Sequence, residues 1–492
     1  MSHPRTWGAL SRTPAAELSR LQDRTLARYV REELYPFSAR HRRVFDEAKV
    51  RPDDIRTVAD LRRLPFMTKQ DLLAAQEDPA RKLELILAPT PQAIRDHWPF
   101  FRKLAVALGG ARAREILRRD YTPNFLTFTT GRSSAPVVFA YTPHDIDLLG
   151  ESGARLLDVL ALPERDGRII NLFPFAPHLA FWQVAWGGFR SGRLIIPTGG
   201  GKVMGTTASL RMARMFRPTA LVGTPGFLYH LLREAREAKA DLAEVKSVIL
   251  GAEKVTPGLK RKMAEHLEAC GAREVSILGS YGFTEARMAF SECPTGYDES
   301  SGYHLFPDLG VFEVIDPKTL EPVKEGETGE LVYTPIAGHG TVVLRYRTGD
   351  LAVGGIRTEP CPYCGRTVPR ISSEIRRSSE QRAMNLTKIK GTLVDLPVMA
   401  ETLSSMPEVE EWQVVLKKVN DDPHELDEFV VRLSLRSGTE REAFLKKVRE
   451  ELLTATEVAP NRIDVVSTKE LVEMLGMETE VKEKRFLDLR PK

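Results

Sequence analysis

The sequence predicts an α/β protein with a smaller α+β unit at its C-terminal end. From about residue 121, short apolar runs alternate with longer helical patterns, which is typical of mostly parallel sheets with helices on their faces. Before this region, residues 10–50 carry apolar side chains at three- and four-residue spacing, which predicts helices. The strand-like runs lie at 169–173, 193–196, 220–222 and 247–250. Ligands in such folds collect at the carboxyl ends of the strands.

Residues 305–356 have a different pattern. The segments 311–315 and 329–333 alternate apolar and polar side chains and are separated by turn residues, which favours antiparallel hairpins and a small barrel-like β region. After residue 378 comes a unit of about 110 residues, a usual size for a domain. Its predicted elements are strands at 411–416, 429–435 and 462–466 and a helix at 440–453. We expect two domains, a large N-terminal one over 1–377 and a mobile C-terminal lid over 378–492.

Composition excludes several classes of protein. The 492 residues are 42% hydrophobic and 28% charged, as in ordinary soluble proteins. The 71 basic and 67 acidic residues leave a net charge of only +4, too small an excess to indicate nucleic-acid binding. The basic run from Arg112 to Arg119 is interpreted as a solvated helix face.

Targeting signals are missing from the sequence pattern. No apolar stretch approaches the roughly 18 residues that a membrane helix needs, and the N-terminus lacks the apolar core of a secretory signal. Four cysteines are too few for a disulfide scaffold at this size, so we expect a reducing cytoplasm. We expect neither a nucleic-acid nor a membrane partner.

Two short motifs carry the strongest functional signal. The first spans residues 281–285 and reads YGFTE; the second spans 346–350 and reads YRTGD. The first offers a carboxylate and a hydroxyl beside a tight glycine turn. The second offers a carboxylate on a turn, which suits the two vicinal hydroxyls of a ribose. Together they predict a site for a magnesium nucleotide.

The motif pair resembles that of the acyl-adenylate-forming superfamily, whose enzymes activate carboxylic acids with ATP, and in particular its phenylacetate–CoA ligase branch. Residues 45–48, 52–55 and 64–69 are similar to the N-terminal signature of that branch. The likeness covers roughly residues 25–490 and is weakest after residue 375. It implies ATP, Mg²⁺ and CoA as cofactors or co-substrates.

The resemblance assigns a role to each residue of the nucleotide site. It implies that Glu285 holds Mg²⁺, which favours one or two carboxylates together with phosphates, and that Thr284 donates to the α-phosphate. Asp350 would accept hydrogen bonds from both ribose hydroxyls. The remaining expected contacts of the nucleotide are Tyr281, which stacks near adenine, Gly282, the adenine-side strand end Gly251, Ala252 and Glu253, and Arg377 before the hinge.

The segment 127–136, TFTTGRSSAP, resembles the phosphate loop of the family. Hydroxyls and backbone N–H groups on such a loop can hold phosphate oxygens. The matching residues are Thr129, Thr130, Gly131 and Ser133. The loop departs from the family because Ser134 replaces the second glycine and no lysine flanks the proline, so an ordinary Ser/Thr turn stays open.

The C-terminal segment 481–485, VKEKR, resembles the family's terminal segment with its catalytic lysine. By register Lys482 is the candidate, with Lys484 as the second choice. A flexible ammonium suits a contact with the reacting carboxylate and α-phosphate as charge develops. A solvated basic tail is the alternative.

Three cysteines and one histidine resemble a zinc site of this branch. They are Cys293, His304 and the C-x-x-C pair Cys361 and Cys364. Such a set matches a closed structural zinc site, and the hairpin-like surroundings give no thioredoxin pattern. Free thiols stay open as an alternative.

A group of aromatic residues resembles, by its position in the chain, the segment that forms the acyl pocket of the family. It comprises Phe175, His178, Phe181 and Trp182, with Ser280 at a strand end. An aromatic cavity would suit an aryl acid, although plain helix packing is nearly as good an explanation.

The resemblance therefore implies a two-step acid–thiol ligase that makes an acyl adenylate and transfers the acyl group to CoA. Three alternatives stay open: transfer to a carrier protein or a protein cysteine, a non-catalytic nucleotide-binding homologue, and a zinc-ribbon nucleic-acid binder, which the near-neutral charge disfavours. A homodimer is also left open.

Overall fold

A six-stranded sheet forms the centre of the protein in the computed structural model. In spatial order its strands are Leu194–Pro197, Arg168–Asn171, Ala220–Gly223, Ser247–Leu250, Ser276–Phe283 and Met288–Ser291. The first five are parallel and the last is antiparallel to its neighbour. All four of the strand runs predicted from the sequence are confirmed. The five parallel strands run in the same direction, so their carboxyl ends lie at the same edge of the sheet.

The structure describes residues 6–78, 81, 83–129, 136–163, 166–175, 179–201, 203–377, 386–389, 392–419, 427–477 and 483–490. Its α-helices are Trp7–Leu10, Ala15–Tyr29, Tyr35–Phe37, Ala39–Glu47, Lys69–Glu77, Pro91–His97, Phe100–Leu108, Gly110–Asp120, Pro143–Val159, Leu179–Arg190, Gly205–Phe216, Pro225–Glu237, Pro257–Ala269, Leu396–Ser405, Arg441–Thr456 and Thr468–Leu475. A π-helical turn covers Val30–Leu34, and 3₁₀ turns cover Pro52–Asp54, Val58–Arg63 and Thr284–Ala286. Among the described helices, none has the length and low charge needed to cross a bilayer.

Helices cover both faces of the central sheet. Successive strand residues enter different cores because their side chains alternate. Val248 packs into one core with helices Pro225–Glu237 and Pro257–Ala269. Its neighbour Ile249 packs into another with helix Leu179–Arg190. This double burial explains why these strands are almost continuously apolar.

Antiparallel sheets follow in the chain, where the sequence predicts hairpins. A four-stranded sheet contains Gly310–Ile315, Gly329–Pro335, Tyr346–Ala352 and Ile375–Arg377. Smaller sheets contain Phe125–Phe128 with Val138–Tyr141, and Tyr303–His304 with Arg370–Ile371 and Ile356–Arg357. The four-stranded sheet contacts the central sheet through one shared core, in which Phe283 lies edge-on against Tyr333 at 5.4 Å between ring centroids.

The C-terminal part has its own core. A hairpin of Leu386–Ile389 and Thr392–Asp395 precedes it. Its four-stranded sheet contains, in spatial order, Arg462–Val465, Asp427–Leu435, Val409–Lys418 and Phe486–Asp488. Helix Arg441–Thr456 buries Phe444 and Val448 against this sheet. The α+β architecture and each predicted element of this part are confirmed.

Candidate nucleotide and acid site

Strand ends of the central sheet crowd together at its carboxyl edge. Ser280 donates a hydrogen bond from Oγ to the carbonyl of Leu250 at 3.0 Å. A side chain at Gly251 would approach the Ser280 Oγ to 2.7 Å and the Phe173 ring to 3.1 Å. Ala252 then turns the chain with a positive φ of 72°. Only glycine fits at 251, so this edge presents backbone to any bound molecule.

Gly282 does not lie in a turn, which corrects the sequence interpretation. It is inside strand Ser276–Phe283, opposite Ala289 of the antiparallel neighbour. A side chain there would meet the Ala289 Cβ at 2.7 Å. The turn comes later, at the 3₁₀ turn Thr284–Ala286, and ends on Arg287 with φ 57°. Glycine is needed at 282 for the close approach of two strands.

The two motifs exchange hydrogen bonds with one another. Tyr281 of the first motif donates from Oη to Asp350 Oδ2 of the second at 2.8 Å. Tyr346 of the second donates from Oη to Glu285 Oε1 of the first at 2.7 Å. Glu285 and Asp350 are both buried. The exchange fixes both carboxylates at the seam between the central and four-stranded sheets. Sequence reasoning assigned no role to Tyr346, although each motif begins with a tyrosine.

Asp350 occupies an irregular position in its strand. Gly349 has a φ of 73°, and the strand pairing shifts register between Glu330 and Val332 opposite it. The Asp350 N–H bonds the Thr348 hydroxyl at 3.1 Å. Across the next ladder, Arg377 is the Cα partner of Asp350. The structure therefore places the backbone of Arg377 opposite that of Asp350.

A buried ion pair behind Glu285 was missed by sequence reasoning. Arg287 Nη1 contacts Asp145 Oδ1 at 2.7 Å, and both side chains are buried. Asp145 also accepts from the backbone N–H groups of His339 at 3.0 Å and Gly340 at 2.7 Å. Although burial opposes its ionisation, Arg287 and these hydrogen bonds hold the pKa of the Asp145 carboxyl below its usual value. The pair anchors the turn that carries Glu285.

One end of the predicted phosphate loop lies within the described residues. Strands Phe125–Phe128 and Val138–Tyr141 pair with each other and flank the loop. Thr129 accepts a hydrogen bond from the Val137 N–H on its Oγ at 2.9 Å. The predicted phosphate contacts Thr130, Gly131 and Ser133 lie outside the described residues.

The aromatic side chains of the predicted acid pocket do meet. Phe175 lies 5.1 Å from Phe181 and 5.5 Å from Trp182 between ring centroids, and Trp182 lies 5.1 Å from Phe125. Phe175 is 58% exposed, whereas Phe181 is buried. The cluster therefore has one open ring beside the carboxyl edge of the sheet. His178 lies outside the described residues.

The residues just before the last strand, Phe486–Asp488, lie against helix Pro225–Glu237 of the N-terminal part. The Glu483 carboxylate occupies the space that a side chain at Gly226 would take. Burial raises the pKa of Glu483 to about 8, and nearby Glu253 acts in the same direction. Lys482 itself lies outside the described residues. Lys484 donates its backbone N–H to the Leu475 carbonyl at 3.0 Å. The C-terminal segment is thus placed beside the predicted adenine-side residue Glu253.

The four predicted zinc ligands converge. The ligand atoms of Cys293, His304, Cys361 and Cys364 all lie within 4.8 Å of one another. The sulfurs of Cys293 and Cys361 are 3.7 Å apart, and Cys364 Sγ is 3.3 Å from His304 Nε2. With Zn–S bonds of about 2.3 Å, a tetrahedral site has sulfurs roughly 3.8 Å apart. The residues present fit a closed zinc site.

Comparisons with known proteins agree with this geometry. The family model described as AMP-binding enzyme matches residues 152–343. Phenylacetate-coenzyme A ligase of Thermus thermophilus is 28% identical over 90% of this chain and 86% of its own length. The matched segment contains the five parallel strands of the central sheet and the first of the two motifs. A second phenylacetate-coenzyme A ligase, from Aromatoleum evansii, is 26% identical to this chain over 92% of the chain and 90% of the relative. These relatives support the resemblance to the phenylacetate–CoA ligase branch of the acyl-adenylate-forming enzymes.

Solved structures confirm the predicted fold of the chain. A 2-hydroxyisobutyryl-CoA ligase in the postadenylation state, with a bound acyl-AMP, has a TM-score of 0.75 at 20% identity, covering 99% of this chain and 93% of that chain. The same ligase in its thioesterification state gives a TM-score of 0.60 at 21% identity, covering 100% of this chain and 94% of that chain.

Proposed function

We propose that the protein is an AMP-forming acid–CoA ligase. It would activate a carboxylic acid with ATP to an acyl adenylate, release pyrophosphate, and transfer the acyl group to the thiol of CoA. The observation that carries the proposal is the reciprocal exchange between Tyr281 and Asp350 and between Tyr346 and Glu285. It fixes two carboxylates of different roles at one sheet edge, beside the aromatic cluster.

The two carboxylates would bind different parts of the magnesium nucleotide. Asp350 would accept from the ribose hydroxyls, with Arg377 on the neighbouring strand. Glu285 would hold Mg²⁺, because a carboxylate next to phosphate oxygens is the ligand set that this ion favours. When bound, Mg²⁺ supplies positive charge against the phosphates. The phosphate-loop residues Thr129, Thr130, Gly131 and Ser133 and the turn residue Thr284 would donate the remaining hydrogen bonds.

Catalysis would rest on alignment and charge stabilisation. The acid would lie at Phe175, His178, Phe181, Trp182 and Ser280, so that its carboxylate faces the α-phosphorus. Lys482 would then stabilise the charge that develops on the transferring groups. The open Phe175 ring supports an aromatic acid, since aryl rings pack edge to face at about 5 Å.

We infer that residues 1–377 and 378–492 form two domains and that the second acts as a lid. A lid that changes position between the two half-reactions would exclude water and admit the thiol. The separate core of the C-terminal part supports this division. The zinc cluster would be structural, since all four ligands come from the protein and leave no position for water. A carrier protein as acceptor and a homodimer are sequence-based expectations that await measurement.

Acid-dependent ATP–pyrophosphate exchange tests the first half-reaction without any acceptor. The panel is benzoate, phenylacetate, hydroxy- and aminobenzoates, and short and long fatty acids. We expect exchange with an aryl acid. A protein that binds ATP but exchanges with no acid would contradict the adenylation step. Once an acid is identified, thioester formation with CoA and with a phosphopantetheinylated carrier protein distinguishes the two acceptors.

A further inference from the structure

Two short helices that precede the phosphate-loop strands expose an unusual amount of apolar surface. In helix Phe100–Leu108, Phe101 is 81% exposed, Leu108 79% and Phe100 67%. Ile116 of the following helix, Gly110–Asp120, is 52% exposed. Clustered exposed apolar side chains of this size are rare on soluble proteins and mark interaction surfaces. We call residues 99–120 the basic hairpin.

The exposed apolar residues of the first helix form one stripe. At 100° per residue, Phe100, Phe101, Leu104 and Leu108 fall within about 100° of one another around the helix axis. All four are exposed. A helix of a soluble protein normally turns such a stripe toward the core. Here the stripe faces solvent.

The opposite side of the hairpin is attached to the body of the protein. Arg102 lies over the Trp98 ring at 3.8 Å and contacts Glu33 Oε1 at 2.6 Å. Val106 and Leu117 pack against the N-terminal core. The hairpin is therefore held with its apolar stripe outward.

Positive charge concentrates in the same short segment. Residues 99–120 contain six basic and two acidic side chains, so their net charge of +4 equals that of the whole chain. Arg112 and Arg119 are exposed and lie at −4 and +3 from Ile116, on the same helix face. Exposed apolar residues bordered by arginines are the pattern of a helix that lies on an anionic bilayer.

We propose that the basic hairpin docks the protein onto an anionic membrane surface. Phe100, Phe101, Leu104 and Leu108 would enter the boundary between headgroups and acyl chains, and the arginines would contact lipid phosphates. A second copy of the chain fits less well, because a twofold contact would bring two hairpins of net positive charge together. The sequence expectation of no membrane partner rested on the lack of a spanning segment, which surface docking does not need. The proposal does not depend on the proposed function.

Vesicle co-sedimentation tests the proposal. The full chain is mixed with phosphatidylcholine vesicles with and without phosphatidylglycerol, at low and high salt. We expect binding that requires phosphatidylglycerol and weakens with salt, because the electrostatic part is screened. The double variant Phe101→Ser/Leu108→Ser should bind about tenfold less or weaker still. Arg112→Glu/Arg119→Glu should lose the preference for phosphatidylglycerol.

A matched control removes exposed apolar side chains elsewhere. Phe189 and Met215 are 61% and 63% exposed and lie outside the basic hairpin. Phe189→Ser/Met215→Ser should bind vesicles like the unaltered protein. Light scattering and thermal unfolding verify that each variant keeps its mass and fold.

Four outcomes overturn the proposal. The first is that the unaltered protein does not bind anionic vesicles at low salt. The second is that the control variant loses as much binding as Phe101→Ser/Leu108→Ser. The third is that this hairpin variant dissociates an oligomer while vesicle binding is absent, which would assign the surface to a second copy. The fourth is that soluble polyglutamate binds as well as anionic vesicles do and loses binding with Arg112→Glu/Arg119→Glu but not with Phe101→Ser/Leu108→Ser, which would assign the surface to an acidic protein partner.

Discussion

The proposed nucleotide site and the junction of the C-terminal part are held together by different kinds of contact. At the nucleotide site, Glu285 and Asp350 are buried, and each receives a tyrosine hydroxyl from the other motif. At the junction, the described contacts are made by separate side chains, and the Glu483 carboxylate lies against Gly226. Lys262 Nζ donates to the Val409 carbonyl at 2.6 Å, and the half-exposed pair of Arg436 and Glu265 meets at 2.9 Å.

The difference indicates which part is rigid and which can separate. Buried polar networks with satisfied partners are rigid, because breaking any one bond leaves a buried group without a partner. Exposed ion pairs contribute little, typically about 0–1 kcal/mol. In the proposed ligase, a site held by buried hydrogen bonds beside a junction of separate side-chain contacts would suit a lid that moves between two half-reactions. Four predictions follow this contrast from its strongest to its weakest expected effect.

Glu285→Gln should abolish most adenylation. The change keeps the shape that Tyr346 contacts but removes the charge that would hold Mg²⁺. We expect ATP–pyrophosphate exchange to fall about 10²–10³-fold, with an unchanged unfolding midpoint. Glu327→Gln, at an exposed loop position, is the matched control. Exchange within a factor of two or so of the unaltered enzyme would remove Glu285 from the site.

Cys361→Ser should release the metal and destabilise the strand next to the cluster, without affecting the C-terminal part. Elemental analysis should show loss of bound zinc. The unfolding temperature should fall by several degrees, and the free energy of unfolding by about 2–4 kcal/mol. Hydrogen exchange should accelerate in strand Met288–Ser291, which leads into Cys293, and stay unchanged in helix Leu396–Ser405. Cys270→Ser changes a buried cysteine outside the cluster and should keep the metal. Equal acceleration in both segments would contradict the contrast.

Tyr346→Phe and Tyr281→Phe should have separable effects. Each removes one hydrogen bond to a carboxylate, worth about 1.5–3 kcal/mol, or roughly tenfold and more in binding. Tyr346→Phe should raise the Mg²⁺ concentration needed for half-maximal exchange. Tyr281→Phe should weaken nucleotide binding, measured by titration calorimetry with AMP. Identical effects on both quantities would mean that the two carboxylates act as one unit.

The free energy of unfolding should rise as pH rises above about 8, because of Lys262 at the junction. Burial lowers the pKa of Lys262 from its ordinary value to about 8, with Glu411, Arg436, Arg485 and Glu265 around it. In the unfolded chain Lys262 keeps its ordinary pKa and binds the proton more tightly. Between that lowered value and the ordinary one, the unfolded state therefore carries more protons, so stability rises with pH, by at most about 3 kcal/mol.

The comparison of unaltered protein with Lys262→Met isolates this effect. The difference between their unfolding free energies should grow with pH in that window, in favour of the unaltered protein. Lys446→Met, at a lysine whose side chain is 79% exposed, should give a difference that does not vary with pH. A pH-independent difference for Lys262→Met would show that the ammonium is not desolvated at the junction.

Much of the fold could be predicted because its elements are locally encoded. The strands at 168–171 and 247–250 are apolar on both faces, and the C-terminal strand at 427–435 alternates, so period and length identify them. The geometry of loops and turns was harder to predict from the sequence. Gly282 was interpreted as a turn, but the close approach of Ala289, from a strand paired later in the chain, decides its role. That approach is a property of the pairing and leaves no mark in the motif itself.

The linear chain already carried the residue types of the site, namely two carboxylate motifs, a Cys/His set that could hold a metal and an aromatic cluster, because residue type and spacing do not depend on folding. Tertiary structure alone decided how these groups are held. It paired each carboxylate with the other motif's tyrosine, and it placed Arg287 against Asp145, a residue 142 positions away. It also turned the apolar stripe of the basic hairpin toward solvent. Such contacts join segments that are distant in sequence, and local propensity carries no information about which distant segment will supply the partner.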